Sequence, residues 1–194
     1  SRRIAISAAL AVAGACALPV QAQSAAPANS ALDAPMFYQL LIGELELRQG
    51  QPGNAFEVIL DAARRTRDYL LFRRAVDIAL QARSGDQALA ASRAWRQAQP
   101  QSTDALRMQL QILSAMNRVN DVAEPMRALL VMTPEDERGA LIAAIPRFLQ
   151  RAPEKRQAAQ LVESVLEPYL KAPATRVAAL VATGRAWAIA EDAD

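Results

Sequence analysis

The sequence predicts an all-α protein built from repeated pairs of short helices. Hydrophobic residues make up 52% of the chain but aromatic residues only 5%, and Ala and Leu dominate over the side chains that favour strands. The 11 Pro and 7 Gly lie mainly between stretches of helical periodicity, where they end helices. Two breaks recur at a nearly fixed spacing: Pro100 and Pro134 are 34 residues apart, and Gly50 and Gly85 are 35 apart.

Residues 1–22 (SRRIAISAALAVAGACALPVQA) predict a secretory signal peptide. Arg2 and Arg3 form a basic start, residues 4–18 are uncharged and mostly apolar, and small residues precede a cleavage point before Gln23. Residues 23–35 contain small residues and Pro without helical periodicity, so they predict a flexible linker. The apolar run is too short for a membrane anchor, and the sequence therefore predicts export.

Cys16 offers a second cleavage point. The sequence Ala-Gly-Ala-Cys that ends at Cys16 resembles a bacterial lipobox, although Ala13 stands where Leu is usual. Two forms therefore remain open: a lipoprotein anchored through Cys16, and a protein exported in soluble form.

The charge and the residue types exclude several functions. The chain carries 22 basic and 20 acidic residues, and without Arg2 and Arg3 the basic count also becomes 20, so the exported part is neutral and lacks the positive field of a nucleic-acid-binding protein. There is no His and only one Cys, which excludes Ser–His–Asp and Cys–His catalysis and the usual zinc sites. Gly50–Gly53 lacks the Lys and Ser/Thr of a phosphate-binding loop. We therefore expect no enzyme activity, cofactor, metal or small-molecule substrate.

Apolar residues at three- and four-residue steps place the helices. Tyr38, Leu41, Ile42 and Leu45 form one apolar face before the break at Gly50, and similar patterns follow. The predicted units are about 36–68, 69–102, 103–136, 137–173 and a truncated unit, 174–194. Pro146 and Pro168 interrupt apolar patterns and are expected to kink or shorten their helices. Because the last helix lacks a partner or a polar cap, we expect the array to continue.

The period and the small residues Gly43, Gly50, Ala55 and Ala62 resemble the tetratricopeptide repeat (TPR), best over residues 36–134. This resemblance implies a right-handed superhelical solenoid of antiparallel helix pairs over residues 36–194. The stretch YQLLIGELELRQGQPGNAFEVILDAARRTRDYLLFRRAVDIAL is similar to exported proteobacterial TPR proteins and lipoproteins that scaffold a periplasmic carboxyl-terminal processing protease. It implies a scaffold in the periplasm, or on the outer membrane facing the periplasm, that binds protein partners of the cell envelope.

The TPR resemblance also implies that the first helix of each pair lines a concave groove. The groove candidates mix apolar, acidic and Arg side chains, which suits the binding of an extended peptide or a helix. They are Phe37, Leu40, Glu44, Leu47 and Arg48, then Arg73, Asp77 and Gln81, then Arg107, Gln111 and Ser114.

An Arg-rich stretch, residues 61–96, allows two interpretations. It contains eight Arg against four Asp. Such a stretch can meet an acidic partner or lipid headgroups, or it can be a solvated helical face with internal ion pairs such as Arg73–Asp77.

Two other functions remain open. The chain can be the helical scaffold domain of a larger envelope enzyme such as a lytic transglycosylase, with the catalytic Glu in sequence not shown. It can also be the scaffold of a polysaccharide-export protein whose array leads into an outer-membrane barrel, which alternating strands downstream would support.

Overall fold

The computed structural model describes residues 34–150 and 152–191, and the regular structure in these ranges is helical. The α-helices are α1 Ala34–Arg48, α2 Pro52–Thr66, α3 Tyr69–Gln81, α4 Gly85–Ala98, α5 Thr103–Ala115, α6 Ala123–Met132, α7 Glu135–Leu149, α8 Lys155–Leu166 and α9 Pro173–Glu191. Two 3-10 turns, Val119–Val122 and Glu167–Leu170, precede α6 and follow α8. The predicted signal peptide, Cys16 and the linker up to residue 33 lie outside the described residues.

The helices pack mainly on their neighbours along the chain. From α1 to α6 each helix contacts the next one extensively, and α9 packs against both α7 and α8. Connections of two to four residues between the first five helices make consecutive helices antiparallel. Contacts restricted to near neighbours define a solenoid. The prediction of an all-α solenoid of TPR-like helix pairs is confirmed.

The first helices of three successive pairs end in the same turn. Each is followed by a residue in the left-handed conformation: Gly50 (φ 78°), Arg83 (φ 56°) and Asn117 (φ 57°), spaced 33 and 34 residues apart. In each turn the next amide donates to the carbonyl five residues earlier, at 2.8–2.9 Å, and the pairs are Gln51 to Glu46, Ser84 to Ala79, and Arg118 to Leu113. This is the Schellman arrangement, which satisfies carbonyls at a helix end.

Two of these helices also begin in the same way. The Asp68 carboxylate accepts from the Leu70 amide (2.8 Å) at the start of α3. The Ser102 hydroxyl accepts from the Ala105 amide (3.2 Å) at the start of α5. Such caps satisfy amides that have no partner within the helix. Because Asp68 and Ser102 are 34 residues apart, the period appears at both helix ends.

Small residues let α1 and α2 approach closely. A Cβ atom added at Gly43 would lie 2.8 Å from the Ile59 Cδ1 atom, and Ile59 is almost fully buried. Leu40 and Leu47, one turn to either side of Gly43, are half-buried and pack against the core. Gly43 therefore determines which face of α1 meets α2.

The apolar face identified on α1 lies mostly outside the core. Tyr38, Leu41, Ile42 and Leu45 are 43–62% exposed. Gly43, Leu40 and Leu47 take the contact with α2 instead, which turns the bulkier face toward solvent. The helical periodicity predicted the helix correctly, but it did not show which side of the helix would be covered.

The two internal prolines behave differently. Pro168 lies in the 3-10 turn directly after α8 ends at Leu166, so it shortens that helix as expected. Pro146 lies inside α7, which continues to Leu149 before it ends. Among the described helices none is long and apolar enough to cross a lipid bilayer.

We expect Gly43→Val to lower the free energy of unfolding by about 1–3 kcal/mol, because its side chain would overpack the contact with Ile59. Urea denaturation measures the change. The matched control is Gly184→Val in α9, where an added Cβ meets nothing within 4 Å. Equal losses in the two variants would show that the close approach at Gly43 does not limit packing.

We expect Arg83→Gly to raise the free energy of unfolding by about 0.5–1 kcal/mol, because Arg83 adopts a left-handed conformation that Gly adopts without strain. Ala90→Gly, at an exposed position inside α4, should lower it by about 1 kcal/mol. Thermal and urea denaturation of both variants distinguish the two effects. Destabilisation by both substitutions would mean that the left-handed turn carries no strain.

Candidate functional site

A cavity of about 260 Å³ opens between α3 and α5, which are first helices of successive pairs. We call it the α3–α5 cavity. It is lined by Tyr69, Arg73, Trp95, Asp104, Arg107, Met108 and Gln111. Its wall combines aromatic and aliphatic surface with two guanidinium groups, one amide and one carboxylate.

Three of the predicted groove residues meet in this cavity. Arg73 comes from α3, and Arg107 and Gln111 come from α5. Arg73 and Arg107 are 34 residues apart, so they occupy equivalent positions in successive pairs. Because the pairs stack in register, equivalent positions lie side by side, and two cations line the same cavity.

The two arginines are exposed and weakly paired. Arg107 lies 3.9 Å from the Asp104 carboxylate, one turn away on the same helix, in a pair whose side chains are more than half exposed. Arg73 forms no ion pair within the described part of the chain, and the expected pair with Asp77 is absent there. The Asp77 charge acts on Arg74 instead. Exposed pairs contribute little, so both guanidinium groups are available to a ligand.

Glu44, another candidate, is held by the neighbouring repeat. Arg74 donates to it through Nε (2.8 Å to Oε1) and Nη2 (2.7 Å to Oε2), which joins α1 to α3. These charge-assisted bonds lower the pKa of Glu44 below its ordinary value and raise the pKa of Arg74. The Glu44 carboxylate thus acts first as a link between helices.

The remaining candidates lie away from the α3–α5 cavity. Phe37 and Arg48 are exposed on α1, where the Phe37 ring packs edge-on against Tyr38 with centroids 5.9 Å apart. Leu40 and Leu47 are partly buried and pack against the core. Gln81 is exposed at the end of α3. The Ser114 hydroxyl donates to the Phe148 carbonyl (2.6 Å), so it links α5 to α7.

The α3–α5 cavity has four lining residues that the sequence did not predict: Tyr69, Trp95, Asp104 and Met108. Tyr69 precedes Arg73 by four residues and therefore shares its helix face. Trp95 is only 3% exposed, and its indole N–H donates to the Gln99 side chain (3.0 Å). Trp95 is therefore a core residue that also forms a wall of the cavity. Its helical spacing gave no sign of the second role.

The chemistry of the cavity suits binding. Its guanidinium groups and amide can hold carboxylates and peptide groups, while Tyr69, Trp95 and Met108 offer apolar contact. No group of three acidic or Cys side chains suited to a metal ion occurs among residues 34–150 and 152–191.

We expect Glu44→Gln to lower the free energy of unfolding at pH 7 by about 0.5–1 kcal/mol, a value that allows for side chains 42% and 34% exposed. The pKa of Glu44 is lowered in the folded protein, so its contribution is present above the ordinary value of 4.5 and is lost as the pH falls through the lowered pKa. The free energies of unfolding of the wild type and of Glu44→Gln should therefore approach each other as the pH falls. Urea denaturation from pH 7 to pH 3 measures both. A difference that does not shrink as the pH falls would assign the loss to packing.

Comparisons with known proteins add the following. No protein-family profile matches the chain, and no curated protein sequence matches it. Two solved structures of MamA are similar in shape. MamA from Desulfovibrio magneticus RS-1, residues 41 to the end, is 11% identical with a TM-score of 0.45, and a double mutant of MamA RS-1 is 12% identical with a TM-score of 0.46. Each comparison covers 84% of this chain and 99% of the MamA chain. At these values the fold assignment depends on the helix packing of the chain itself.

Proposed function

We propose that this protein is an exported scaffold that binds a protein partner in the groove formed by the first helices of its repeats. The observation that carries the proposal is the α3–α5 cavity, in which Arg73 and Arg107 lie at equivalent repeat positions beside Tyr69 and Gln111. A solenoid offers such repeated positions along an extended surface, which suits a peptide segment or a helix of a partner.

The charges of the cavity favour an acidic or carboxyl-bearing segment. Arg73 and Arg107 are both exposed, and Asp104 is the one acidic side chain among the described residues that line the cavity, so an incoming carboxylate would displace few existing contacts. Arg binds carboxylates with two parallel hydrogen bonds, which adds direction to the attraction. Tyr69 and Met108 would pack against the aliphatic parts of the same segment.

The proposed location is the cell envelope, with a partner such as a periplasmic protease or an assembly complex. Support comes from the signal-peptide pattern of residues 1–22 and from the resemblance of the first units to exported TPR proteins. Cys16 supplies a lipid anchor on the outer membrane in one form of this proposal, and in the other the protein is soluble in the periplasm.

The test is site-specific photo-crosslinking in envelope extract. A benzophenone amino acid at Gln111 should capture one protein reproducibly, and the same group at the exposed Ala90 of α4 should not. Arg73→Glu and Arg107→Glu should each weaken the captured complex about tenfold, since each reverses a charge in the groove. Purified components and isothermal titration calorimetry give the affinity.

Arg64→Glu is the matched control, because Arg64 is exposed on α2 and does not line the α3–α5 cavity. It should change the affinity less than twofold. Equal weakening by Arg64→Glu and Arg73→Glu would mean that the affinity depends on the overall charge of the protein and not on the groove. Equal crosslinking from Ala90 and Gln111 would place the partner away from the groove.

A further inference from the structure

A second and larger cavity, of about 770 Å³, lies where α4, α5, the 3-10 turn Val119–Val122 and α6 meet. We call it the α4–α6 cavity. Arg93 and Arg96 of α4, Gln109 of α5, and Glu124 and Arg127 of α6 contribute to its wall. It shares no lining residue with the α3–α5 cavity.

The two cavities lie on opposite sides of α5. Successive residues of an α-helix are turned by about 100°, so Gln109 points about 160° away from both Arg107 and Gln111. Arg107 and Gln111 line the α3–α5 cavity, and Gln109 lines the α4–α6 cavity. A ligand in one cavity therefore leaves the other accessible.

Gln109 is a polar side chain without a partner at a core position. It is only 5% exposed, and its Oε1 atom accepts no hydrogen bond in the described part of the chain. A buried amide oxygen that accepts no hydrogen bond destabilises the fold, so such a group calls for an explanation. The terminal amide can turn by half a rotation and offer its oxygen or its N–H₂ group to the cavity. This is the hydrogen-bonding capacity needed to hold a peptide group.

Two of the three arginines in the wall have no acidic partner among the described residues. Arg96 donates two hydrogen bonds to the Glu124 carboxylate, so their charges compensate each other. Arg127 donates to the neutral Ser164 hydroxyl (3.2 Å), and Arg93 forms no ion pair with any described residue. Arg93 and Arg127 thus supply two positive charges on different helices of one cavity.

We propose that the α4–α6 cavity binds an acidic peptide segment, with its carboxylates on Arg93 and Arg127 and one of its peptide groups on Gln109. An extended segment fits better than a compact dianion such as phosphate, because its separate carboxylates can each meet one arginine on a different helix. A concentrated charge would lie beside Glu124 and Asp121, which also line the cavity and would repel it. The site goes beyond the groove function, since it uses the other side of α5 and would allow the chain to hold two segments together.

The test measures the fluorescence anisotropy of a fluorescein-labelled octaglutamate peptide as the full-length protein is added. Octaglutamine is the uncharged control, and inorganic phosphate is the competitor that distinguishes a peptide site from a simple anion site. Arg93→Glu and Arg127→Glu should each weaken octaglutamate binding at least about tenfold, and Arg64→Glu should leave it within about twofold. Phosphate at 10-fold excess over the peptide should displace little of it.

Gln109→Leu separates recognition from folding. The substitution removes the unsatisfied amide while it keeps a similar volume, so it should raise Tm by about 3 °C and still weaken the peptide several-fold. Unchanged peptide affinity in this variant would overturn the role of Gln109.

Three results would overturn the site itself: no binding of octaglutamate below 1 mM, full displacement by phosphate, or equal weakening by Arg64→Glu. If Arg73→Glu abolished binding while Arg93→Glu did not, the peptide would occupy the α3–α5 cavity. That result would support the groove function and reject the second site.

Discussion

The close approach of neighbouring helices through small side chains underlies the whole arrangement. The fully buried positions include a series of alanines spread over four helices, namely Ala55, Ala62, Ala63, Ala75, Ala79, Ala88, Ala91 and Ala105. Between them lie larger buried side chains such as Phe72, Ile78 and Leu106. Ala lets helix axes come close, and the larger residues fill the space on either side. A chain with so few aromatic residues can form a dense core in this way.

The same packing leaves part of the surface of each helix uncovered by its neighbours. A helix in the stack touches the one before it and the one after it, which covers two sides. On α5 the exposed Arg107 points in one direction and the buried Gln109 in the other, and each lines a cavity. Cavities thus arise between layers, where side chains from successive pairs meet. They need no loop insertion and no additional domain.

Most of the fold was predictable because the residues at a helix end determine where the helix begins or stops. Pro52, Gly85 and Pro173 stand at the first positions of α2, α4 and α9, and residues such as these stop one helix and start the next whatever surrounds them. The exposed apolar face of α1 was not predictable from periodicity. Which face is covered depends on Gly43 meeting Ile59, a contact between residues 16 positions apart. The proposed division into repeat units remains a prediction.

The α3–α5 cavity was partly predictable, since a fixed period places Arg73 and Arg107 side by side. Glu44 and Ser114 were placed on the same surface, but Arg74 and the Phe148 carbonyl engage them, and a single helix pattern contains no information about those partners. Gln109 did leave a signal. It follows Ala105 by four residues and precedes Leu113 by four, both fully buried, so a polar side chain stands within an apolar stripe.

The 13-residue helix α5 forms a common wall between two cavities, and this has a thermodynamic consequence. A ligand that tilts or shifts this wall on one side changes the shape offered on the other. The resulting coupling free energy is the same in both directions: whatever factor the first occupant imposes on the affinity of the second, the second imposes on the first. This helix of about three and a half turns, held by its neighbours and bordered by a cavity on either side, is therefore also the element through which two bound segments would influence each other.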